Sequence, residues 1–285
     1  MTLAAGFRCS DGVVLCADTE MTMPGFIKFP GSKLRGYQKL NFRPAFVFAG
    51  DVNFCATMIG KLLGKIVSAG TTASDALIAI EKEALLIHQT YIGEDYEAQS
   101  SLLMSLWRGT GNKGRRQLFQ VGRGFVSPVS EGFLGTGQSV ARAMSAELFT
   151  SGMSVEQAAL MASLILAEAK TYSYGVGKES QILILNDRGS WNIFPNDPFR
   201  HSSISEIEED YTKLKRALRS VLLLHADRSV ALSLLRESLD NFTRTVFTNS
   251  NKRAEIVQKR IEAEIESQFE QPEDHSDEDP SNSEG

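Results

Sequence analysis

Only three cysteines, Cys9, Cys16 and Cys55, occur in 285 residues. Their number and irregular spacing exclude a disulfide framework and a zinc site, and they read as buried thiols in a reducing compartment. No apolar run approaches the ~18 residues a membrane helix requires, so no membrane partner is expected. The start lacks a basic segment leading into an unbroken apolar one, so no secretory signal is expected and the cytoplasm is the default location. Lysine and arginine form no stripe interleaved with aromatics, which argues against a nucleic-acid partner. The four histidines, His88, His201, His225 and His275, have no metal-ligand spacing. GTGNKG (109–114) and GTGQS (135–139) lack the GK[ST] ending of a phosphate loop, so no cofactor is expected. No repeat of solenoid length is present.

What is there is an ordinary globular body with a biased end. Hydrophobic content of 42% is ample for a core. The net charge of -5 gathers in QPEDHSDEDPSNSEG, which holds six acidic residues and no Lys or Arg, leaving the rest close to neutral. Residues 271–285 cannot support a core and are expected to be disordered. The chain divides into a main domain over 1–200, a helical extension over 201–270 and this tail.

Periodicity fixes a coarse order. LAAGFRC and VVLCAD flank an Asp-Gly turn, a strong hairpin signal. Strand pieces are expected at 26–29 and 33–40, and AFVFAG (45–50) has the length of a buried strand. Helical patterns follow over 51–69 and 74–92, the second capped by Thr72 or Ser74 and stopped by Gly93. LLMSLWRG and RRQLFQVGRG predict a hairpin around Gly109–Gly114, with short strands in GFVSPVS and GFLGTG. Helices are expected at 138–151 and 154–170, the latter capped by Ser154, before a last hairpin of QILILND and GSWNIFP. Strands and helix pairs are segregated, which indicates an α+β fold. Two antiparallel sheets stacked face to face, with a helix pair outside each, would bury every apolar face: a four-layer α-β-β-α sandwich with a C-terminal helical extension. In that extension Ile204, Ile207, Tyr211, Leu214, Leu218 and Val221 form one apolar stripe. Asp227 is placed to cap a second helix, and a more polar one is expected over 251–269.

The start also offers chemistry. If Met1 is removed, Thr2 presents a hydroxyl and an α-amine on one residue. An α-amine ionises at roughly 7.7–8.0, near the range wanted of a base at neutral pH. Such a residue carries its own base. A lysine held by a carboxylate would tune that amine further.

With these residues TLAAGFRCSDGVVLCADTEMT resembles the start of a proteasome β-type subunit, an N-terminal-nucleophile hydrolase. The resemblance spans about residues 2–195, with further support in FVFAGD and FLGTGQS. It implies the four-layer sandwich, a threonine peptidase acting on unfolded protein or peptide, a homo-oligomeric ring and an ATP-dependent unfoldase as a possible partner. Carried over by position, Thr2 matches the nucleophile and Asp18 the acid that positions the active-site lysine. Lys33 is the best match to that lysine, with Lys28 and Lys39 as competitors. Gly50 matches the oxyanion-hole glycine, and Thr22 a residue whose backbone lines the substrate. Thr136 stands where a serine usually lies near the amine.

Three departures mark a divergent member. Around Ser173, which matches a serine of an Asp-x-x-Ser pair, the upstream residue is Lys170. Glu20 replaces a basic residue, and the interval from Lys33 to Gly50 is long. A propeptide is not expected, so maturation would need only loss of Met1. The departures keep two other readings open: a catalytically silent ring subunit that retains Met1, and an amidase acting on small molecules through Thr2.

Overall fold

The computed structural model describes residues 2–22, 27–37, 42–68, 73–91, 93, 100–110, 113–186, 191–194, 201–222, 230 and 232–246. Strands β1 (Ala4–Arg8) and β2 (Gly12–Asp18) close the Asp-Gly turn as a hairpin, with Ala4 opposite Ala17 and Phe7 opposite Val14. All of β2 is buried, because both of its faces meet apolar layers. Val13, Leu15 and Ala17 point to one layer, while Val14 and Cys16 point to the other. This is the period of two expected of a strand covered on both sides.

β1 and β2 lie inside a five-stranded antiparallel sheet with β10 (Glu131–Leu134), β11 (Ser180–Asn186) and β12 (Trp191–Phe194), in the order β10-β1-β2-β11-β12. The second sheet runs β5-β6-β7-β8-β9, from β5 (Leu34–Gly36) through β6 (Phe42–Ala49), β7 (Ser101–Thr110) and β8 (Lys113–Gly122) to β9 (Phe125–Val129). A ribbon of β3 (Glu20–Thr22) and β4 (Lys28–Pro30) stands beside them.

Between the sheets pack Leu15, Ala17, Val47, Leu103, Trp107 and Leu183. On the far side of the second sheet, Phe46, Phe48, Leu102 and Met104 meet α1 (Val52–Ser68) and α2 (Ala73–Tyr91). On the far side of the first, Leu3, Ala5, Val14 and Ile182 meet α4 (Val155–Tyr172), with α3 (Gln138–Leu148) beside it. The four-layer α-β-β-α sandwich expected from the sequence is the architecture observed. Ser154 caps α4 through a reciprocal capping box with Gln157. Among the described residues no helix is long and apolar enough to cross a membrane.

Several boundaries differ from expectation. Within the described part of 26–29 the strand begins only at Lys28; within the described part of 33–40 the strand is β5, with Lys33 just before it, and 38–40 lie outside the described residues. α3 stops at Leu148, not 151, because Phe149 turns extended and sets its ring against Phe7, 5.4 Å between centroids. α2 starts at Ala73, so Ser74 lies inside it, while Thr72 falls outside the described residues. In the extension, α5 (His201–Leu222) buries Ile204 and Ile207, but Leu218 is 46% exposed. The stripe fails there because α5 changes how it is held. The Tyr211 hydroxyl donates to Glu168 at 2.7 Å and Lys215 pairs with the same carboxylate at 2.5 Å. A further helix, α6, covers 232–246, and Thr245 of it donates to Asp210 of α5 at 2.6 Å. Asp227, the 251–269 pattern and the acidic tail lie outside the described residues.

Leu103 is fully buried between the sheets. Leu103→Ala should lower the unfolding free energy in urea by about 2–5 kcal/mol, the range for such cavities. Leu218→Ala should change it by no more than about 0.5 kcal/mol.

Candidate active site

Four segments distant in sequence meet around Thr2. β1 carries it in: Thr2 stands two residues before an interior strand that is paired to β10 on one side and β2 on the other. The Thr2 carbonyl accepts from the Gly137 N–H at 3.2 Å and from the Thr136 hydroxyl at 3.3 Å. The Thr2 N–H donates to Thr136 Oγ1 at 3.3 Å. Gly135 makes this approach possible. It sits at φ +86°, and a Cβ there would lie 2.3 Å from the Thr2 carbonyl oxygen.

Asp18, the last residue of β2, is fully buried and organises the rest. Its Oδ1 accepts from Thr2 Oγ1 at 2.6 Å, the Leu3 N–H at 2.8 Å and Lys33 Nζ at 2.9 Å. Its Oδ2 accepts from the N–H groups of Glu20 at 3.0 Å and Gly177 at 3.2 Å. Its backbone N–H returns a bond to the Leu3 carbonyl.

Lys33 is 3% exposed, and its ammonium donates to Thr2 Oγ1 as well as to Asp18. Gln181 of β11 fixes it by accepting from the Lys33 N–H at 3.0 Å. Burial holds the Lys33 ammonium below the usual lysine range, opposed by the Asp18 charge and hydrogen bond and by the Glu20 charge. Lys28 is engaged elsewhere: it pairs with the buried Glu20 at 2.7 Å and lies 5.1 Å from the centre of the Tyr174 ring. Lys39 falls outside the described residues.

A cleft of about 330 Å³ opens at this point, lined by Thr2, Glu20, Met21, Thr22, Lys33, Phe48, Ala49, Gly50 and Val52. Gly50 leaves β6 at φ +120°, a conformation that a side chain would strain, and it is exposed. Burial pushes all three thiols up to about 12, which makes them poor nucleophiles, and none lines the cleft.

The structure therefore gathers Thr2, Asp18, Lys33, Gly50 and Thr136. It does not bring in Ser173 in the same way. Ser173 ends α4, its N–H donating to the Ala169 carbonyl, and among the described residues its hydroxyl makes no hydrogen bond to Thr2. Lys170 faces away to α5, pairing with Glu208 at 2.7 Å. Sequence reasoning missed Gly135, Gly177 and Gln181. Gly135 carried a signal in LGTG, which reads as a turn. The other two act through positions that only the β2–β11 pairing reveals.

Residues 2–184 match the family model described as proteasome subunit. No curated protein sequence matches the chain. Similar solved structures include the Anbu (Gly-1) mutant from Hyphomicrobium sp. strain MC1, with TM-score 0.61 and 15% identity over 80% of this chain and 99% of that one. Anbu, an ancestral β-subunit, from Yersinia bercovieri gives TM-score 0.63 and 14% identity over 79% and 98%. The helical assembly of the Anbu complex from Pseudomonas aeruginosa gives 0.62 and 14% over 79% and 97%. At these identities the likeness establishes the fold.

Asp18→Asn places an amide N–H₂ among donors and leaves Lys33 buried without its counter-charge. It should cost about 3–5 kcal/mol in urea unfolding. The Lys33 ionisation supplies a second test. Its folded value lies below its unfolded one, so between the two the unfolded chain binds more protons. The Lys33 contribution to stability should therefore rise with pH across that window and be flat below it. Unfolding free energies of wild type minus Lys33→Met, followed from pH 7 upward, should show that rise; a flat difference would mean ordinary titration.

Proposed function

The chain belongs to the proteasome subunit family, and on that premise we propose that it is a threonine-type peptidase that cleaves peptide bonds with Thr2 after loss of Met1. The observation that carries this reading is the contact set of Thr2 Oγ1, which meets both Asp18 and Lys33 in the buried corner of an open cleft. A hydroxyl so held has one fixed direction for its lone pairs. A lysine ammonium beside it stabilises the developing alkoxide, and Asp18 fixes that lysine.

In this mechanism the Thr2 amine, once free, takes the hydroxyl proton directly or through a water. Thr2 Oγ1 then attacks the substrate carbonyl, and the Gly50 N–H receives the negative charge of the tetrahedral intermediate. An oxyanion donor of this kind is worth about 2.7–4 kcal/mol. The amine returns the proton to the departing amine of the substrate, and water hydrolyses the acyl-enzyme. Thr136 holds the main chain of Thr2 so that amine and hydroxyl share one side. No metal or cofactor enters any step.

We place the protein in the cytoplasm, where three free buried thiols stay reduced, and in a homo-oligomeric assembly. Apolar groups left exposed on α1 and α2, including Val67, Leu85 and Leu86, would be covered by neighbouring subunits. A closed assembly would limit access to unfolded chains and peptides.

The test joins mass and activity. Intact mass should show a chain lacking Met1, and that chain should turn over a fluorogenic peptide. Thr2→Ala should lose about 10⁴-fold or more in kcat, the loss expected when a nucleophile is removed. A retained Met1 with no turnover would instead indicate a silent subunit, and turnover of small amides alone would indicate an amidase.

A further inference from the structure

The turn between α4 and β11 underlies the site, and both of its ends are tied to one side chain on α5. Lys170 in the last turn of α4 donates to Glu208 Oε2 at 2.7 Å. Ser180, the first residue of β11, donates through its hydroxyl to Glu208 Oε1. Ser180 is also the residue paired directly with Asp18 across the sheet. The stretch between these two anchors supplies the Gly177 N–H to Asp18 and the Tyr174 carbonyl to the Thr136 hydroxyl, at 3.2 Å each. Glu179 adds two bonds to Thr19, one through its carbonyl and one through its N–H. Next along, Gln181 holds the Lys33 main chain.

We infer that Glu208 is a positioning residue: it staples both ends of the 173–179 turn and so holds the backbone cradle of Asp18 in place. The turn's own bonds to Thr19, Asp18 and Thr136 tie it to neighbouring segments but do not join its two ends to each other. Ser173 and Val176 close only a short loop on themselves, and Tyr172 and Tyr174 are 66% and 69% exposed. The glycines at 175 and 177 leave the loop free to adopt other shapes. A carboxylate that is largely buried with both partners is screened little by solvent, so it fixes the two anchors relative to each other. The residue lies beyond position 184, where the family match ends. The helix thus contributes to the site from outside the stretch that the family model matches.

The consequence for turnover rests on the peptidase reading, so the experiment has two arms. Hydrogen exchange on the full-length chain reads the cradle without reference to activity. In Glu208→Ala, the amides of Gly177, Glu20 and Leu3, which donate to Asp18, and those of 173–181 should exchange at least ~10-fold faster, while the inter-sheet core is unchanged. Glu208→Gln keeps an acceptor for Ser180 and loses the charge facing Lys170, so it should fall between, and it serves if the alanine variant folds poorly. Glu209→Ala, which removes only an exposed pair with Lys213, should leave all these amides as they were. On a fluorogenic peptide, kcat should fall ~10–100-fold in Glu208→Ala with KM within about twofold, as for a small misplacement remote from the chemistry.

Unchanged exchange in both Glu208 variants, or faster exchange spread evenly through the core, overturns the staple. Local loosening with full kcat in an active enzyme overturns its role in positioning. A wild type without turnover overturns the peptidase reading alone, and the exchange pattern then decides the staple by itself.

Discussion

Everything at this site depends on one buried carboxylate. Asp18 has no exposed surface, so its charge must be met by protein donors. Two of its partners are side chains that bear the proposed chemistry, Thr2 and Lys33; the others are the main chains of Leu3, Glu20 and Gly177. The second set makes the first possible. Backbone donors are fixed by the strands and turns they belong to, so they hold the carboxylate still. Thr2 and Lys33 then find it in one place. The architecture explains why Asp18 can be reached from so many directions. It ends an interior strand, with β1 on one side and β11 on the other, and the 173–179 turn crosses its open end.

Burying the Asp18–Lys33 pair is not a route to stability. Desolvation of two charges offsets most of their attraction, and an apolar pair of similar volume often does as well or better. What the pair provides is a cation fixed beside a hydroxyl. The balance shows in Lys33 itself: burial pulls its ionisation down while Asp18 pushes it up, and burial wins. Glu20 sits where the resemblance expects a base, and it brings a second negative charge near Lys33. Its own partner, Lys28, is drawn from the outer ribbon. The acid therefore does not stand uncompensated beside the site.

Much of this was legible in the chain. The Asp-Gly hairpin, the continuous apolar run of β6 and the period change into α1 gave the layers, because each face had to be buried and few arrangements bury them all. The resemblance singled out Thr2, Asp18, Lys33, Gly50, Thr136 and Ser173, and the fold brings the first five together around one cleft and corner. Ser173 does not join them, since a serine after a helix is the same letter whether it ends the helix or meets another side chain. Lys33 was ambiguous with Lys28 because periodicity says nothing about which lysine turns inward at an irregular segment. Leu218 misled because a helix stripe marks what is apolar, not how far the neighbouring helix extends. Glu208 was invisible for a physical reason: a charged residue on an amphipathic helix reads as solvated until the helix is docked.

A nucleophile that serves as its own base must lie next to a free amine, and chain ends fray. The proposed chemistry therefore sets a demand on the fold that an internal catalytic residue would not. The segment after Thr2 cannot be an edge strand, because an edge would leave one side of its backbone unpaired and free to peel. Here β1 is paired on both sides, to β2 and β10, and Leu3 is fully buried against α4. The Thr2 carbonyl, which lies before the strand proper, is caught by Gly137 and Thr136 at the entrance to α3. The same turn that delivers those donors needs glycine at 135 to come so near. Placing the hairpin in the middle of the sheet is thus what would hold Thr2 in position if Met1 is lost, as the proposed chemistry requires.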